Sequence, residues 1–201
     1  MFKTSAEMAA DKVIAQSKKA LSGGVDALQM RTHGVSDRDL YALGKKLKEI
    51  CAHAGALFIV DNRADLAVAL DADGIHIGHT DLPIDVVRNM LGHRKIVGVS
   101  THGLPEALAA QRAGADYVSC GPIWRTPTKP IYDPVGLNLV GLYKAALKVP
   151  FVAIGGVDET NIDQVLAAGA KCVAVVRALF EASDPEAMAK LLKGRILCQV
   201  N

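Results

Sequence analysis

Four short segments of this chain share one design. They are Ser22-Gly23-Gly24-Val25-Asp26, Asp71-Ala72-Asp73-Gly74, Arg112-Ala113-Gly114-Ala115-Asp116 and Ala168-Gly169-Ala170-Lys171. In each, a helical stretch ends in small residues or glycine and an apolar run follows. Glycine just past a helix takes the left-handed turn that other residues resist, so each junction stops a helix and launches a strand. Counted along the chain, the junctions precede the second, fourth, sixth and eighth strands, which implies four double strand-helix units. That count predicts an α/β protein folded as a closed (β/α)8 TIM barrel. An open flavodoxin-like sheet is the alternative, and it would need fewer strands.

The runs read as strands are 27–31, 57–60, 74–77, 96–100, 117–120, 151–154 and 172–176. Runs this apolar, each separated by a helix, favour a parallel sheet covered on both faces. Helices are expected at 6–21, 37–53, 83–91, 104–113, 137–147, 160–168 and 185–192. The clearest is 37–53, with Ser36 as N-cap and Leu40, Leu43, Leu47 and Ile50 on one face. A first strand is harder to find, since only Met1-Phe2-Lys3-Thr4 precede the first helix. The tail 195–200 is apolar and strand-like. Either it fills the first-strand slot in a permuted barrel, or a short strand at Phe2 does and the tail is frayed.

One domain over residues 1–201 fits the length and the absence of a linker. The 23 basic and 21 acidic residues are well mixed, and no Lys/Arg run interleaves with aromatics, which argues against nucleic acid as a partner. Apolar stretches are short and interrupted, so no membrane span is expected. Asp11, Lys12, Lys18 and Lys19 break up the first twenty residues, which lack a secretory core and point to the cytoplasm. Cys51, Cys120, Cys172 and Cys198 form no CxxC pair and are expected as reduced thiols, not zinc ligands. A homo-oligomer is left open.

Chemistry concentrates in the loop Gly121-Pro122-Ile123-Trp124-Arg125-Thr126-Pro127-Thr128-Lys129, which leaves the end of the strand 117–120. Two hydroxyls, backbone N–H groups on a stiffened chain and one compact cation suit phosphate oxygens and a leaving pyrophosphate. A second apolar run ends downstream in the bare turn Gly155-Gly156. In a barrel the C-terminal strand ends converge on one mouth. Those ends carry Gln29, Arg31 and His33; Asp61 and Asn62; His79 and Asp81; and Ser100 and His102. The later strands add Thr126, Thr128 and Lys129, then Gly155 and Gly156, then Val176 and Arg177. Carboxylates beside phosphate-binding cations suggest Mg²⁺, which bridges a few protein oxygens to phosphate. Blander roles are expected elsewhere. Asp65, Asp73 and Asp116 read as helix or junction residues and His76 as a satisfied core histidine. Trp124 is equally a packing anchor or a stacking surface.

Over nearly its whole length the chain resembles the thiamine phosphate synthase family. The resemblance rests on Gln29-Met30-Arg31-Thr32-His33, Asp61-Asn62-Arg63, His76-Ile77-Gly78-His79-Thr80-Asp81-Leu82-Pro83, the 121–129 loop, Pro134-Val135-Gly136-Leu137 and Ile154-Gly155-Gly156. It implies that an aminopyrimidine-methyl pyrophosphate couples with a thiazole phosphate and releases pyrophosphate, with Mg²⁺ as cofactor. By the same resemblance the pyrimidine pyrophosphate would lie on Gln29, Met30, Arg31, Thr32, His33, Asp61, Ser100 and Lys129. Lys129, Ser100 and Arg31 would act in catalysis, and Asn62 and Asp81 would hold the metal. Thr126, Pro127, Thr128, Gly156, Val176 and Arg177 would hold the thiazole phosphate. The chain departs from the family at four points. Asp61-Asn62 reverses the family's Asn-Asp, His33 replaces Lys, Thr32 replaces Glu and Arg177 replaces Ser. Two alternatives are a thiazole tautomerase of the same fold, with His102 as acid and base, and a relic that binds phosphate without turnover. Another phosphate-binding barrel, such as a sugar-phosphate isomerase, lacks motif support.

Overall fold

The computed structural model describes residues 2–5, 10–127 and 132–200. Strand and helix alternate throughout: β1 (Phe2–Ser5), α1 (Ala10–Ser22), β2 (Ala27–His33), α2 (Asp37–Ala54), β3 (Leu57–Asp61), α3 (Ala64–Ala69), β4 (Gly74–Ile77) and α4 (Ile84–Leu91). The second half continues with β5 (Ile96–Thr101), α5 (Leu104–Arg112), β6 (Tyr117–Cys120), α6 (Gly136–Ala146), β7 (Phe151–Ile154), α7 (Ile162–Ala167), β8 (Val173–Ala174), α8 (Arg177–Phe180) and α9 (Pro185–Val200). All sheet pairs are parallel, and the strands follow one another in sequence order from β1 to β8. A doubly wound sheet reverses its strand order at a switch point. This one does not, so the fold is TIM-barrel-like and the open-sheet alternative falls.

Of the two readings of the first strand, the permuted one falls and the short strand at Phe2 holds, although the tail is helical and not frayed. Residues 185–200 form one continuous helix, and the first-strand slot beside β2 is filled by Phe2–Ser5, with Phe2 opposite Met30. Met188, Leu192 and Ile196 recur every four residues and pack on the second core, while Leu197 is exposed. An apolar tail fits a helix as well as a strand, and the helical period carries on from α9's first turns. Helix α9 packs on α1, α7 and α8, and Lys193 pairs with Asp26 at the start of β2. The end of the chain thus returns to its beginning. Among the described residues β8 and β1 share no ladder, and α9 spans that seam.

Smaller differences have local causes. The strand expected over 172–176 shrinks to Val173–Ala174, because Val176 already has helical backbone at the start of α8. Helices α3 and α8, of six and four residues, are too short to declare a period in the sequence. For α2 the reading holds. Ser36 Oγ accepts from the Asp39 N–H at 3.2 Å, and Gly55 at φ 67° ends the helix.

The double units are visible in hydrogen bonding. Asp73, just before β4, accepts the Phe58 N–H of β3 at 2.8 Å. Asp116, just before β6, accepts the Val97 N–H of β5 at 2.7 Å. Each junction carboxylate ties the start of its own strand to that of the preceding one, as the junction role expected for both requires. Two apolar layers lie between sheet and helices. One centres on Leu28, Met30, Phe58 and Ile75, the other on Val118, Val140, Tyr143 and Ile162. Cys51 and Cys120 sit in these layers, and burial pushes both thiols up to about 12. Cys172 and Cys198 are exposed and free. Among the described residues no helix is long and apolar enough to cross a membrane.

Candidate active site

Strand alternation sorts the residues of β2. Leu28 and Met30 point outward against the helices, where Met30 is 1% exposed and faces Gly44 of α2. Gln29 and Arg31 take the opposite face. The expectation that Met30 binds substrate therefore fails for its side chain, which the period-2 rule commits to the outer core. The side chains of Thr32 and His33 lie outside the described residues, as do Thr128 and Lys129 entirely.

On the inner face, Asp61 at the end of β3 is a meeting point. Gln29 Nε2 donates to Asp61 Oδ1 at 2.7 Å, and Arg31 Nε stands 3.2 Å from Oδ2. Asn62 has φ 66°, and with its amide nitrogen turned inward it donates to Oδ2 at 2.7 Å. Three groups expected to serve the pyrophosphate or the metal thus converge on one carboxylate. Its side chain is only 6% exposed, whereas Asn62 is exposed.

A second polar layer spans β4, β5 and β6. His76 Nδ1 lies 2.9 Å from the Tyr117 hydroxyl, and Nε2 lies 2.9 Å from Ser100 Oγ. Burial, reinforced by the Asp61 charge, pushes the Tyr117 phenol far above its usual range, so it keeps its proton. Two arrangements satisfy the layer: Tyr117 donates to Nδ1 while Nε2–H donates to Ser100, or Nδ1–H donates to Tyr117 while the Ser100 hydroxyl donates to Nε2. His76 is a satisfied histidine as expected, yet it lines the cavity and not the outer core. Tyr117 escaped the sequence reading, although a signal was present. Its register partner is Gly98, where a Cβ would meet the Tyr117 ring at 2.0 Å. Glycine inside a strand marks such close approach.

The opposite wall is built from two loops. Ile123 and Trp124 donate their N–H groups to Ile154 and Gly155 carbonyls at 2.9 and 3.0 Å. Gly155 and Gly156 have φ 98° and 70°, and a Cβ on either would strike Pro122 or Trp124. Trp124 is half-buried against the second core, which makes it a packing anchor. Asn161, also missed, donates its side-chain amide to the Gly156 carbonyl at 2.8 Å and so orients that peptide. His102 Nδ1 lies 2.5 Å from the Gly121 carbonyl, which can only accept, so Nδ1 carries a proton and the neutral ring has its lone pair on Nε2. Its ring stacks on Tyr132, with centroids 4.1 Å apart.

These walls line one end of a mostly apolar cavity of 710 Å³ that continues through the barrel to the strand starts at Ala27, Leu57 and Ile96 and to α9. Of the expected site residues, Gln29, Asp61, Ser100, Thr126, Gly156, Val176 and Arg177 line it. Arg31 reaches it through Asp61, and Pro127 is exposed on the loop. Asp81 closes the turn after β4, where its carboxylate accepts the Gly78 N–H at 2.5 Å. Among the described residues no group of three or more His, Cys, Asp or Glu side chains is placed to hold a metal. Hard oxygen donors at neighbouring strand ends are nevertheless present in Asp61, Asn62 and Asp81.

Residues 1–179 match the sequence profile of a family described as thiamine monophosphate synthase. The chain is 46% identical over 180 residues to a thiamine-phosphate synthase of Thermobifida fusca, covering 89% of this chain and 83% of that one. Against the Chlorobium luteolum protein of the same name it is 43% identical over 175 residues, covering 87% and 82%. It spans only about half of some cyanobacterial relatives, such as 53% of the Synechocystis protein. Among solved structures, a thiamine phosphate pyrophosphorylase from Pyrococcus furiosus superposes with a TM-score of 0.88 at 32% identity, covering 100% of this chain and 96% of that one. Agreement over this much of the sequence and of the fold shows that the chain belongs to the thiamine monophosphate synthase family.

Proposed function

We propose that the chain is a thiamine phosphate synthase, a transferase that joins an aminopyrimidine-methyl pyrophosphate to a thiazole phosphate. The observation that carries this reading is the pairing, across one cavity, of Gln29, Asp61 and Ser100 with Thr126 and the Gly155-Gly156 turn. Two phosphorylated molecules can face each other there with their rings between.

The chemistry asks little covalent work of the protein. The bond from the pyrimidine methylene carbon to pyrophosphate oxygen breaks, its electron pair leaving with pyrophosphate. The thiazole nitrogen lone pair then forms the new carbon–nitrogen bond. Stabilising the departing charge and holding two rings in line are the main tasks. Gln29, Arg31 and Lys129 take the diphosphate, with His33 and Thr32 serving the same group, and Ser100 meets the pyrimidine. Thr126, Thr128, the Gly156 amide and the Val176-Arg177 turn take the thiazole phosphate, with Pro127 stiffening the loop. Apolar lining by Ile59, Val152 and Ile154 keeps water from a carbocation. Mg²⁺ prefers one or two carboxylates plus phosphate oxygens, which fits Asp61, Asn62 and Asp81, and it supplies positive charge to the leaving group. Four free cysteines accord with a reducing compartment, the cytoplasm.

One observation favours a second reaction in the same cavity. His102 carries its lone pair on Nε2 and lines the pocket, as a base that moves a proton on a thiazole tautomer would. Mixing both phosphorylated substrates with Mg²⁺ tests the first reading by release of pyrophosphate. Absence of release from folded protein refutes it. The thiazole tautomer alone, with His102→Ala as control, tests the second.

A further inference from the structure

We propose that Asn161 is a positioning residue for the thiazole phosphate: it holds the Gly156–Val157 peptide so that the Val157 N–H serves the cavity as a phosphate donor. This rests on the reading above that the Gly155-Gly156 turn takes that phosphate, and adds a donor and the side chain that aims it. Asn161 stands at the N-cap position of α7, yet its side chain makes no capping bond there. It reaches back into the preceding loop instead. Nδ2 donates to the Gly156 carbonyl at 2.8 Å, and Oδ1 accepts the Asp158 N–H at 3.0 Å. The carbonyl can only accept and the N–H can only donate, so the side-chain amide has one orientation. A trans peptide points its carbonyl and its N–H in opposite directions. With the Gly156 carbonyl drawn to Asn161, the Val157 N–H is turned away from it. Among the described residues that N–H has no protein acceptor, although Val157 is only 6% exposed and lines the cavity. A backbone donor on a buried residue calls for a partner, and a phosphate oxygen in the cavity would supply one. Successive N–H groups in a turn of this kind form a concave seat for an anion.

The peptide needs holding because of its glycine. Gly156 sits at φ 70°, and glycine lets a peptide flip at little cost. A flipped peptide would put the Gly156 carbonyl oxygen where a phosphate oxygen belongs. The rest of the loop is fastened independently. Ile162 donates its N–H to the Asp158 carbonyl at 3.0 Å, and Thr160 donates its N–H to Asp158 Oδ1 at 2.9 Å. From outside, Arg195 of α9 donates to the Glu159 carbonyl. Loss of the Asn161 amide therefore frees one peptide while the path of the loop stays fixed.

The test is NMR of the isotope-labelled full chain titrated with inorganic phosphate, comparing wild type with Asn161→Ala and Asn161→Asp. In wild type the Val157 amide proton should move downfield at saturating phosphate, together with the Gly156 and Thr126 signals. Both variants should bind phosphate about tenfold more weakly. At saturation Val157 should then stay still while Thr126 still moves, whereas a merely structural role would weaken binding without singling out Val157. KM for the thiazole phosphate should rise about tenfold as well, with KM for the pyrimidine pyrophosphate unchanged. Asn161→Asp keeps the side-chain shape and a favourable N-cap, so it carries the test should Asn161→Ala not fold. A Val157 signal that stays still in phosphate-bound wild type, or moves as far in the variants as in wild type, overturns the inference and leaves the phosphate reading standing. No response at Thr126, Gly156 or Val157 in folded wild type overturns that reading, and the inference with it.

Discussion

Replacing Gly155 by alanine should separate two costs that usually come together. Gly155 has φ 98°, and a Cβ there would lie 2.5 Å from both Cα and Cβ of Pro122. Ordinary carbon contacts lie at about 3.5–4.0 Å, so the overlap exceeds an ångström, and Pro122 cannot rotate away. Gly114 has nearly the same backbone, φ 94°, but a Cβ there meets nothing within 4 Å. Both alanine variants carry the cost of an unfavourable backbone region, about 1–3 kcal/mol. Only Gly155→Ala adds overpacking, about 1–3 kcal/mol more. For a chain of this length that excess lowers the melting temperature by about 2–12 °C relative to Gly114→Ala. Relief requires the 121–126 loop to move off the 155–156 turn, and a displacement of that size can cost about a hundredfold in rate. Parallel thermal unfolding and kcat/KM for the thiazole phosphate give both readouts. Equal melting temperatures and equal kcat/KM for the two variants would refute the claim that these loops form one rigid wall.

Two further perturbations probe the interior and the surface. Tyr117→Phe removes the phenol 2.9 Å from His76 Nδ1 and should cost about 1–3 kcal/mol in urea unfolding. Unchanged stability would mean that the phenol does not hold the ring. At the surface, Lys95 and then Lys48 hold the Asp71 carboxyl down to about 2 by hydrogen bonding. A depressed folded value stabilises the native state above the unfolded pKa, near 4, and that stability disappears as pH falls through about 2. Asp71→Asn should therefore flatten the stability profile between about pH 4 and pH 2, and an unaltered slope there would remove the residue from acid sensitivity.

Much of the site was legible because its parts sit in short, local motifs. The 121–129 loop, the Gly155-Gly156 turn and the Gln29/Arg31 alternation each depend on neighbouring residues, and the described parts lie where strand ends put them. The Met30 side chain lies away from the site because a motif names residues without saying which face they take. The alternation that sends Gln29 and Arg31 inward necessarily sends Met30 out. His76 and Tyr117 show the converse difficulty. Forty-one residues separate them, and only the registers of β4 on β5 and of β5 on β6, with Gly98 opposite both His76 and Tyr117, bring ring and phenol together.

Apart from the first strand, the tail and the short helices α3 and α8, the alternation of strand and helix and the number of double units were legible in the sequence, since helix stops, strand starts and apolar periods are set by residues close in the chain. The phosphate chemistry proposed at the 121–129 loop and the Gly155-Gly156 turn rests on motifs that are local in the same way. The tertiary structure decided whether the apolar tail became strand or helix, because both periods fit and only the vacant face beside α1, α7 and α8 chose between them. It decided, too, that Asp61 faces inward to grip Arg31 and Gln29. A carboxylate's partners depend on which strands stand side by side, and strand adjacency exists only once the chain has folded.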